Sequence, residues 1–303
     1  MQDINTNKIC ITSIGLDGEK IDQVTFMEKP RIFVKKGYLV ATAKNTLPEF
    51  EAEYEIIKKT DIFTSIGPVY ILEIKEEGNA LIAGPSIVSD MEKLVKIVDE
   101  FNVEKIMVDG AFFRHNFTKI SNATVLIIGA NYSPVMEKVV NNAVNIIKKL
   151  SLKTPPINTE YLPKIDNVAL LNDMESIKIL DFETVIGNTA KIFSDENEKY
   201  RFLYLPKSLT NNLVKIMVEN RMKYNFDIIL KSPINIQLND HNLNNLWKLR
   251  NKIYTLNPIN LVAVCYNPYS PKGYQFNDSI FKKKLEDKIG IKIYNVKKGA
   301  ING

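Results

Sequence analysis

Short apolar runs rich in Val and Ile, each closed by glycine or a carboxylate, recur along this chain and constrain its fold more than any other feature. Lys8–Ile14 ends in Gly15-Leu16-Asp17-Gly18, Lys105–Val108 in Asp109-Gly110, and Thr124–Ile128 in Gly129. Runs of this length read as buried strands, and where a stretch of helical period follows, the pattern predicts a mainly parallel sheet covered on both faces. Ser89–Phe101 is one such helix, with Met91, Leu94, Val95, Val98 and Phe101 on one face and Ser89 as N-cap. Pro134–Leu150 is another, carrying Val135, Val139, Val140, Ala143, Ile146 and Ile147 inward. Arg31–Val34 with Tyr38–Ala43, and Pro68–Ile74 with Ala80–Ala83, read as hairpins around Lys35-Lys36-Gly37 and Glu76-Glu77-Gly78-Asn79. Glu49–Lys59 reads as a helix with Phe50, Tyr54 and Ile57 on one side.

The second half repeats the alternation with different residues. Lys178–Leu180, Arg201–Leu205, Asp227–Leu230, Asn260–Cys265 and Lys292–Val296 read as strands, and Ser208–Arg221, Asp240–Ile253 and Asp278–Ile289 as helices. Between the halves, Lys153-Thr154-Pro155-Pro156 through Pro163 has three prolines and no periodicity, which marks a linker. The expected organisation is α/β, in two mainly parallel three-layer units: residues 1–150, a Pro-rich linker 151–165, and a second small unit 166–303.

Bulk properties exclude several classes. At 303 residues, 45% of them hydrophobic, the chain has material for two ordinary cores. No apolar run approaches the roughly 20 residues that span a bilayer, and Met1–Asn5 lacks the basic start of a signal peptide. A cytoplasmic protein with no membrane partner is expected. The net charge of +5 is spread over Lys35-Lys36, Lys58-Lys59, Lys148-Lys149, Lys282-Lys283-Lys284 and Lys297-Lys298. These fall in different elements, where a nucleic-acid binder gathers its lysines on one face. Cys10 and Cys265 lie inside apolar runs, there is no CxxC, and His115 and His241 are far apart in sequence. Reduced thiols and no metal site are expected.

In parallel α/β sheets, ligands bind at the carboxyl ends of strands. The first half offers Gly84 and Ser86 within Ala83-Gly84-Pro85-Ser86, and Asp109-Gly110, as a crevice where glycine admits a ligand and polar groups orient it. Ile106-Met107-Val108-Asp109-Gly110 has the form of a Walker B segment, whose Asp holds Mg²⁺ beside nucleotide phosphates. Asp17, followed by Glu19, is the second carboxylate candidate. Both depend on a GxxxxGK[ST] loop, and no Gly-Lys pair occurs in the chain. Arg114-His115 offers an anion contact or an ordinary surface pair. In the second half, Tyr266-Asn267-Pro268-Tyr269-Ser270-Pro271-Lys272-Gly273-Tyr274 combines rigid aromatics, prolines and glycine past a strand. It reads as a ligand or partner platform built on Asn267, Ser270, Lys272 and Tyr274, or as a packed connection. Asp181–Ala190, with Gly187-Asn188-Thr189, is a second lip for the same crevice, and Trp247 is a core residue. No nucleophile–base pair is evident.

Taken in order, Thr12–Glu19, Lys29–Val34, Leu39–Lys44, Leu81–Ser86, Val108–Arg114, Gly129-Ala130 with Met136–Leu150, and Asn267–Tyr274 form a series. The series resembles the accessory subunit of the lysine 5,6-aminomutase reactivase, found beside a MutS-like ATPase subunit in lysine-fermenting bacteria. The resemblance covers nearly the whole chain. It implies a partner of a B12-dependent aminomutase, an enzyme that uses adenosylcobalamin and pyridoxal phosphate and is left inactive when its cobalamin is damaged. It further implies a first domain like a P-loop NTPase of the dethiobiotin-synthetase type, here without its first strand, Walker A loop and helix. Two readings follow. In one, the chain is a non-catalytic adaptor and the ATPase partner supplies all hydrolysis. In the other, a P-loop ATPase or ligase has its phosphate loop encoded upstream, and Asp17, Glu19, Asp109 and Gly110 sit beside ATP and Mg²⁺. On both readings a vacant central position, or an apolar groove, is expected in the sheet beside Lys8–Ile14 and Lys105–Val108. An unrelated small-molecule-binding α/β module is the third possibility.

Overall fold

The computed structural model describes residues 8–15, 32–110, 121–172, 176–220 and 223–298. The chain divides into two units, Met1–Ile120 and Ser121–Gly303.

In the first unit, β1 (Ile9–Ser13) is buried along its whole length and lies between β3 (Leu39–Ala43) and β7 (Lys105–Asp109), parallel to both. The long antiparallel pair β4 (Glu53–Thr64) and β5 (Gly67–Glu76) joins through β5 to β3. The resulting order is β4-β5-β3-β1-β7. Two short strands, β2 (Ile32–Val34) and β6 (Gly78–Ala80), pair antiparallel with each other. Period-two burial builds two cores on this one sheet. Cys10, Leu39, Ala41, Val69 and Ile71 face helix α1 (Val88–Asp99) through Met91, Leu94 and Val98. Ile9, Ile11, Val40, Leu72 and Ile74 point the other way, onto Val34, Ala52, Ala80 and Ile82.

Several expectations change here. Arg31–Val34 and Tyr38–Ala43 do not form a hairpin, nor do Pro68–Ile74 and Ala80–Ala83, because β2 takes β6 while β3 takes β1 and β5. Glu49–Lys59 is not a helix: a 3-10 turn over Lys44–Glu49 leads into β4, where β-branched Ile56, Ile57, Thr60, Ile62 and Thr64 fit a pleated strand. Helix α1 is capped by Ile87 rather than Ser89, with no side-chain cap. The sheet is mixed rather than mainly parallel, and strands and turns cover its second face. Lys8–Ile14 and Lys105–Val108 are direct neighbours over β1 and β7, and among the described residues β7 is the edge of the sheet.

The second unit is organised around a long-range pairing. β8 (Thr124–Gly129) runs parallel to β16 (Leu261–Asn267), which runs parallel to β17 (Tyr294–Asn295). Helices α2 (Met136–Leu150) and α6 (Asp278–Ile289) cover the face formed by Leu126, Ile128, Val264 and Tyr266. Glu137 joins them by bonding Lys284 and Lys288. On the opposite face Val125 and Ile127 are 54% and 61% exposed.

The chain between α2 and β16 builds a separate mixed sheet in the order β10-β9-β11-β13-β15: β9 (Ala169–Leu171), β10 (Ile177–Ile179), β11 (Phe202–Leu205), β13 (Asp227–Leu230) and β15 (Ile253–Thr255). One face packs Leu170, Leu203, Leu205, Ile228 and Leu230 against α4 (Asn211–Glu219) and α5 (Asp240–Lys248), through Leu213, Val214, Met217, Leu243 and Leu246. The other packs Ala169, Leu171, Phe202, Tyr204 and Ile229 on Leu162. A short helix α3 (Thr189–Ile192) and a two-stranded pair, β12 (Leu209–Thr210) with β14 (Ile236–Gln237), complete the unit.

The expected boundary at residue 150 and the linker 151–165 are therefore replaced by a division at Ile120/Ser121, since β8 and α2 belong with β16 and α6. The Pro-rich stretch is part of the fold. Lys153 pairs with Tyr254 and accepts from the Thr255 amide at 2.9 Å, and Leu162 is fully buried. The prolines of this stretch, which begin at Pro155 beyond the end of α2 at Leu150, do not prevent the chain from packing. Among the described residues, no helix is long and apolar enough to cross a membrane. Replacing Leu94, 1% exposed beneath α1, with Ala should lower unfolding free energy by about 3 kcal/mol. The exposed Val125→Ala should stay within about 0.5 kcal/mol. Urea denaturation of both variants checks the two values.

Candidate functional site

Two strand ends carry the polar residues of interest, one in each unit. In the first, β1 and β3 end in hydroxyl side chains that reach across the segment Ile82–Pro85. Ser13 Oγ donates to Ile82 O at 3.0 Å and accepts from the Gly84 amide at 3.0 Å. Thr12 Oγ1 donates to Ala41 O at 2.8 Å. Thr42 Oγ1 accepts from the Ala83 amide at 2.9 Å and shares a hydrogen bond with Thr46 Oγ1 at 2.8 Å. Backbone bonds from Ala43 N to Ala83 O and from Gly15 N to Pro85 O complete the seam. Buried hydroxyls satisfied in this way hold the seam in one geometry.

Gly84 serves the chain here. A Cβ at Gly84 would lie 2.2 Å from Ser13 O and 2.5 Å from Thr12 Oγ1, and one at Gly110 would lie 2.7 Å from Ile14 Cδ1. The expected crevice is closed at Gly84, which is buried in the seam and does not offer its backbone as a phosphate cradle would, whereas Gly110 is exposed at the end of β7 beside the Ile14 side chain. Ser86 is exposed beyond the seam, and Asp109 is exposed at the end of β7, its carbonyl accepting from the Ile14 amide at 2.7 Å. Asp17, Glu19, Arg114 and His115 lie outside the described residues. Among the described residues no group of His, Cys, Asp and Glu is placed to hold a metal ion.

At the carboxyl edge of β8, β16 and β17, the Tyr266–Tyr274 segment is an ordered loop. Tyr274 donates its hydroxyl to Ala130 O at 2.7 Å, which lashes the loop to the end of β8. Ser270, buried, donates its amide to Tyr274 O at 2.9 Å, and its Oγ accepts from the Lys272 amide at 3.2 Å. Asn267 Oδ1 accepts from the Tyr269 amide at 3.1 Å. Asn267, Ser270 and Tyr274 therefore shape the loop, while Lys272 and Tyr269 are exposed on it. Behind the loop, Phe276 and Phe281 pack edge-to-face, as do Tyr266 and Phe281.

Sequence reasoning missed the carboxylate that organises this edge. Asp278, in the first turn of α6, accepts from Tyr266 OH at 2.8 Å and Asn295 Nδ2 at 2.7 Å on one oxygen, and from Lys298 Nζ at 2.5 Å on the other. The Lys298 hydrogen bond chiefly holds the Asp278 carboxyl below its ordinary value. Burial, then Asp278, pushes the Tyr266 phenol up to about 12. The sequence showed Asp278 only as a helix start, because its partners come from β16, β17 and the residues just after β17.

Other candidates fall elsewhere. Gly187, at φ +76°, turns the chain into α3, where Thr189 meets Asn212 of α4. The Asp181–Ala190 segment thus belongs to the β9–β15 sheet, whereas Tyr266–Tyr274 extends β16. Trp247 packs on the core of that sheet with Lys148 Nζ 5.8 Å from its ring centre. His241 is exposed and bonds Asn245 at 3.1 Å. Both cysteines are free thiols: Cys10 is buried, which pushes it up to about 12, and Cys265 is only partly covered.

No family model matches this chain, and no curated protein or solved structure matches it.

Gly84→Ala should cost about 1–3 kcal/mol, because backbone and a buried hydroxyl occupy the space its Cβ needs. Ser86→Ala at the exposed neighbour should be near neutral, and denaturant midpoints for the pair test this. The carboxyl of Asp278 is depressed in the folded state, so its contribution is present above the unfolded carboxylate value of about 3.9 and is lost as pH falls through the folded value. Asp278→Asn should therefore lower stability at neutral pH and flatten the decline below about pH 4, as read from melting temperature against pH.

Proposed function

We propose that this chain is a non-catalytic accessory subunit that works with a MutS-like ATPase to restore an adenosylcobalamin-dependent aminomutase, lysine 5,6-aminomutase or a relative. The observation that carries this reading is the convergence of three separated blocks of the resemblance at one strand end. Thr12-Ser13, Leu39–Lys44 and Leu81–Ser86 meet in the hydroxyl seam, bonded through Ser13, Thr42 and Gly84. The first unit is read on the same grounds as a relative of the P-loop fold of the dethiobiotin-synthetase type.

What favours an adaptor over a nucleotide hydrolase is the use made of Gly84, whose surroundings are filled by Ser13 and Thr12 of the chain itself. In this reading the ATPase partner supplies the energy. The accessory chain supplies a surface whose affinity for the aminomutase differs between two states of the complex, and release of damaged cobalamin follows that difference. The loop at Tyr269 and Lys272, held rigid by Tyr274 and Ser270, is the contact assigned to a partner: exposed aromatic and cationic groups on a pre-ordered loop bind with little ordering cost.

The test is co-purification of the tagged chain with the ATPase and aminomutase subunits, together with ATP- and adenosylcobalamin-dependent recovery of an inactivated aminomutase. Both subunits should be retained, and Tyr269→Ala with Lys272→Glu should weaken retention by about tenfold. Retention of neither subunit refutes the proposal, and ATP hydrolysis by the chain alone would favour the enzyme reading.

A further inference from the structure

The two edges of the first unit's sheet are built differently. β4 carries Glu53, Glu55, Lys59 and Asp61 on its exposed side, and its pairing with β5 is broken by register shifts at three places. Irregularity and charge of this kind guard an edge against pairing with another chain. β7 has neither a bulge nor a proline and pairs with β1 in unbroken register from Lys105 to Asp109. Lys105, Val108 and Asp109 are all exposed along it.

Among the described residues no strand pairs with the outer side of β7, and the direction of its backbone groups follows from one hydrogen bond. The Ile14 amide donates to Asp109 O, so Asp109 turns its backbone toward β1. Successive residues of a strand alternate, so Met107 also faces β1, while Ile106 and Val108 turn their N–H and C=O outward; at the other end of the strand the amide that reaches Lys8 O is that of Glu104, just before Lys105. The strand Lys-Ile-Met-Val-Asp has a second property: reversed, it places opposite charge at each end and a β-branched residue on each side of Met107.

We infer that β7 is the interface for a second copy of this chain, paired antiparallel about a two-fold axis through Met107. In that register Ile106 faces Val108 of the partner subunit as a hydrogen-bonded pair, using the groups that point outward. Lys105 faces Asp109 of the partner subunit as a non-hydrogen-bonded pair, the position where side chains approach most closely. The axis repeats each contact, so one attractive pair becomes two. Backbone phase and charge agree only in the antiparallel self-register, which is why a second copy is the occupant. The exposed Val125 and Ile127 of β8 offer an open sheet face, but no charge there names an occupant. This inference is independent of the reactivase reading.

A single short ladder gives a weak dimer, so sedimentation velocity of the full chain between about 1 and 500 µM should show a concentration-dependent shift from monomer to dimer. Lys105→Asp and Asp109→Lys should each raise the dissociation constant by about tenfold or more. An equimolar mixture of the two variants should dimerise again, because each then supplies the charge the other lacks. Val108→Pro removes an outward N–H that β1 does not use, and should leave the thermal melt intact while giving a monomer. A monomer at every concentration overturns the inference. So does a dimer indifferent to these variants, which would use another surface.

Discussion

The second unit depends on the parallel pairing of Thr124–Gly129 with Leu261–Asn267. Bringing these strands together closes a loop of more than half the unit, and loop closure carries an entropic cost that local contacts cannot offset. The intervening chain meets that constraint by folding into its own sheet, with buried faces on both sides. Once β8 and β16 are joined, α2 and α6 are adjacent, Glu137 reaches Lys284 and Lys288, and Tyr274 reaches the end of β8. The strand-end loop is therefore rigid because of a contact made far from it in sequence.

A different solution holds the first unit's strand ends. There, β1 is buried from Ile9 to Ser13, and its last two residues present hydroxyls rather than aliphatic groups. Thr12 and Ser13 could not be buried without partners, and each finds a carbonyl on a neighbouring segment. Gly84 is required by the same seam, because any larger residue would meet Ser13 O. Polar and glycine residues at a strand end can thus serve closure, and here they do so in a chain whose sequence places them where a ligand crevice is expected.

These two strand ends give the functional proposals unequal physical footing. The Tyr269–Lys272 loop is exposed and pre-ordered, as a partner contact requires. The seam is occupied by the chain itself. Asp278, with Tyr266, Asn295 and Lys298 converging on it, is a structural centre whose charge is neutralised within the fold.

Much of the architecture was legible in local pattern. The runs at Lys8–Ile14, Lys105–Val108, Thr124–Ile128 and Asp227–Leu230 are strands because a short β-branched segment has few other ways to be buried. Met91, Leu94 and Val98 line a helix because their spacing leaves no alternative face. Glu53–Thr64 was not legible, since Phe50, Tyr54 and Ile57 also match helical period and only pairing with β5 decides between them. Nor was the true partner of β8, or the convergence on Asp278 from β16 and β17. By itself the sequence determined the α/β class, most strands and helices, and the residues each must bury, because these follow from side-chain shape and period. Tertiary structure alone decided which strands are neighbours, where one unit ends, and whether a glycine opens onto solvent or onto Ser13, because those depend on contacts between residues that local pattern does not link.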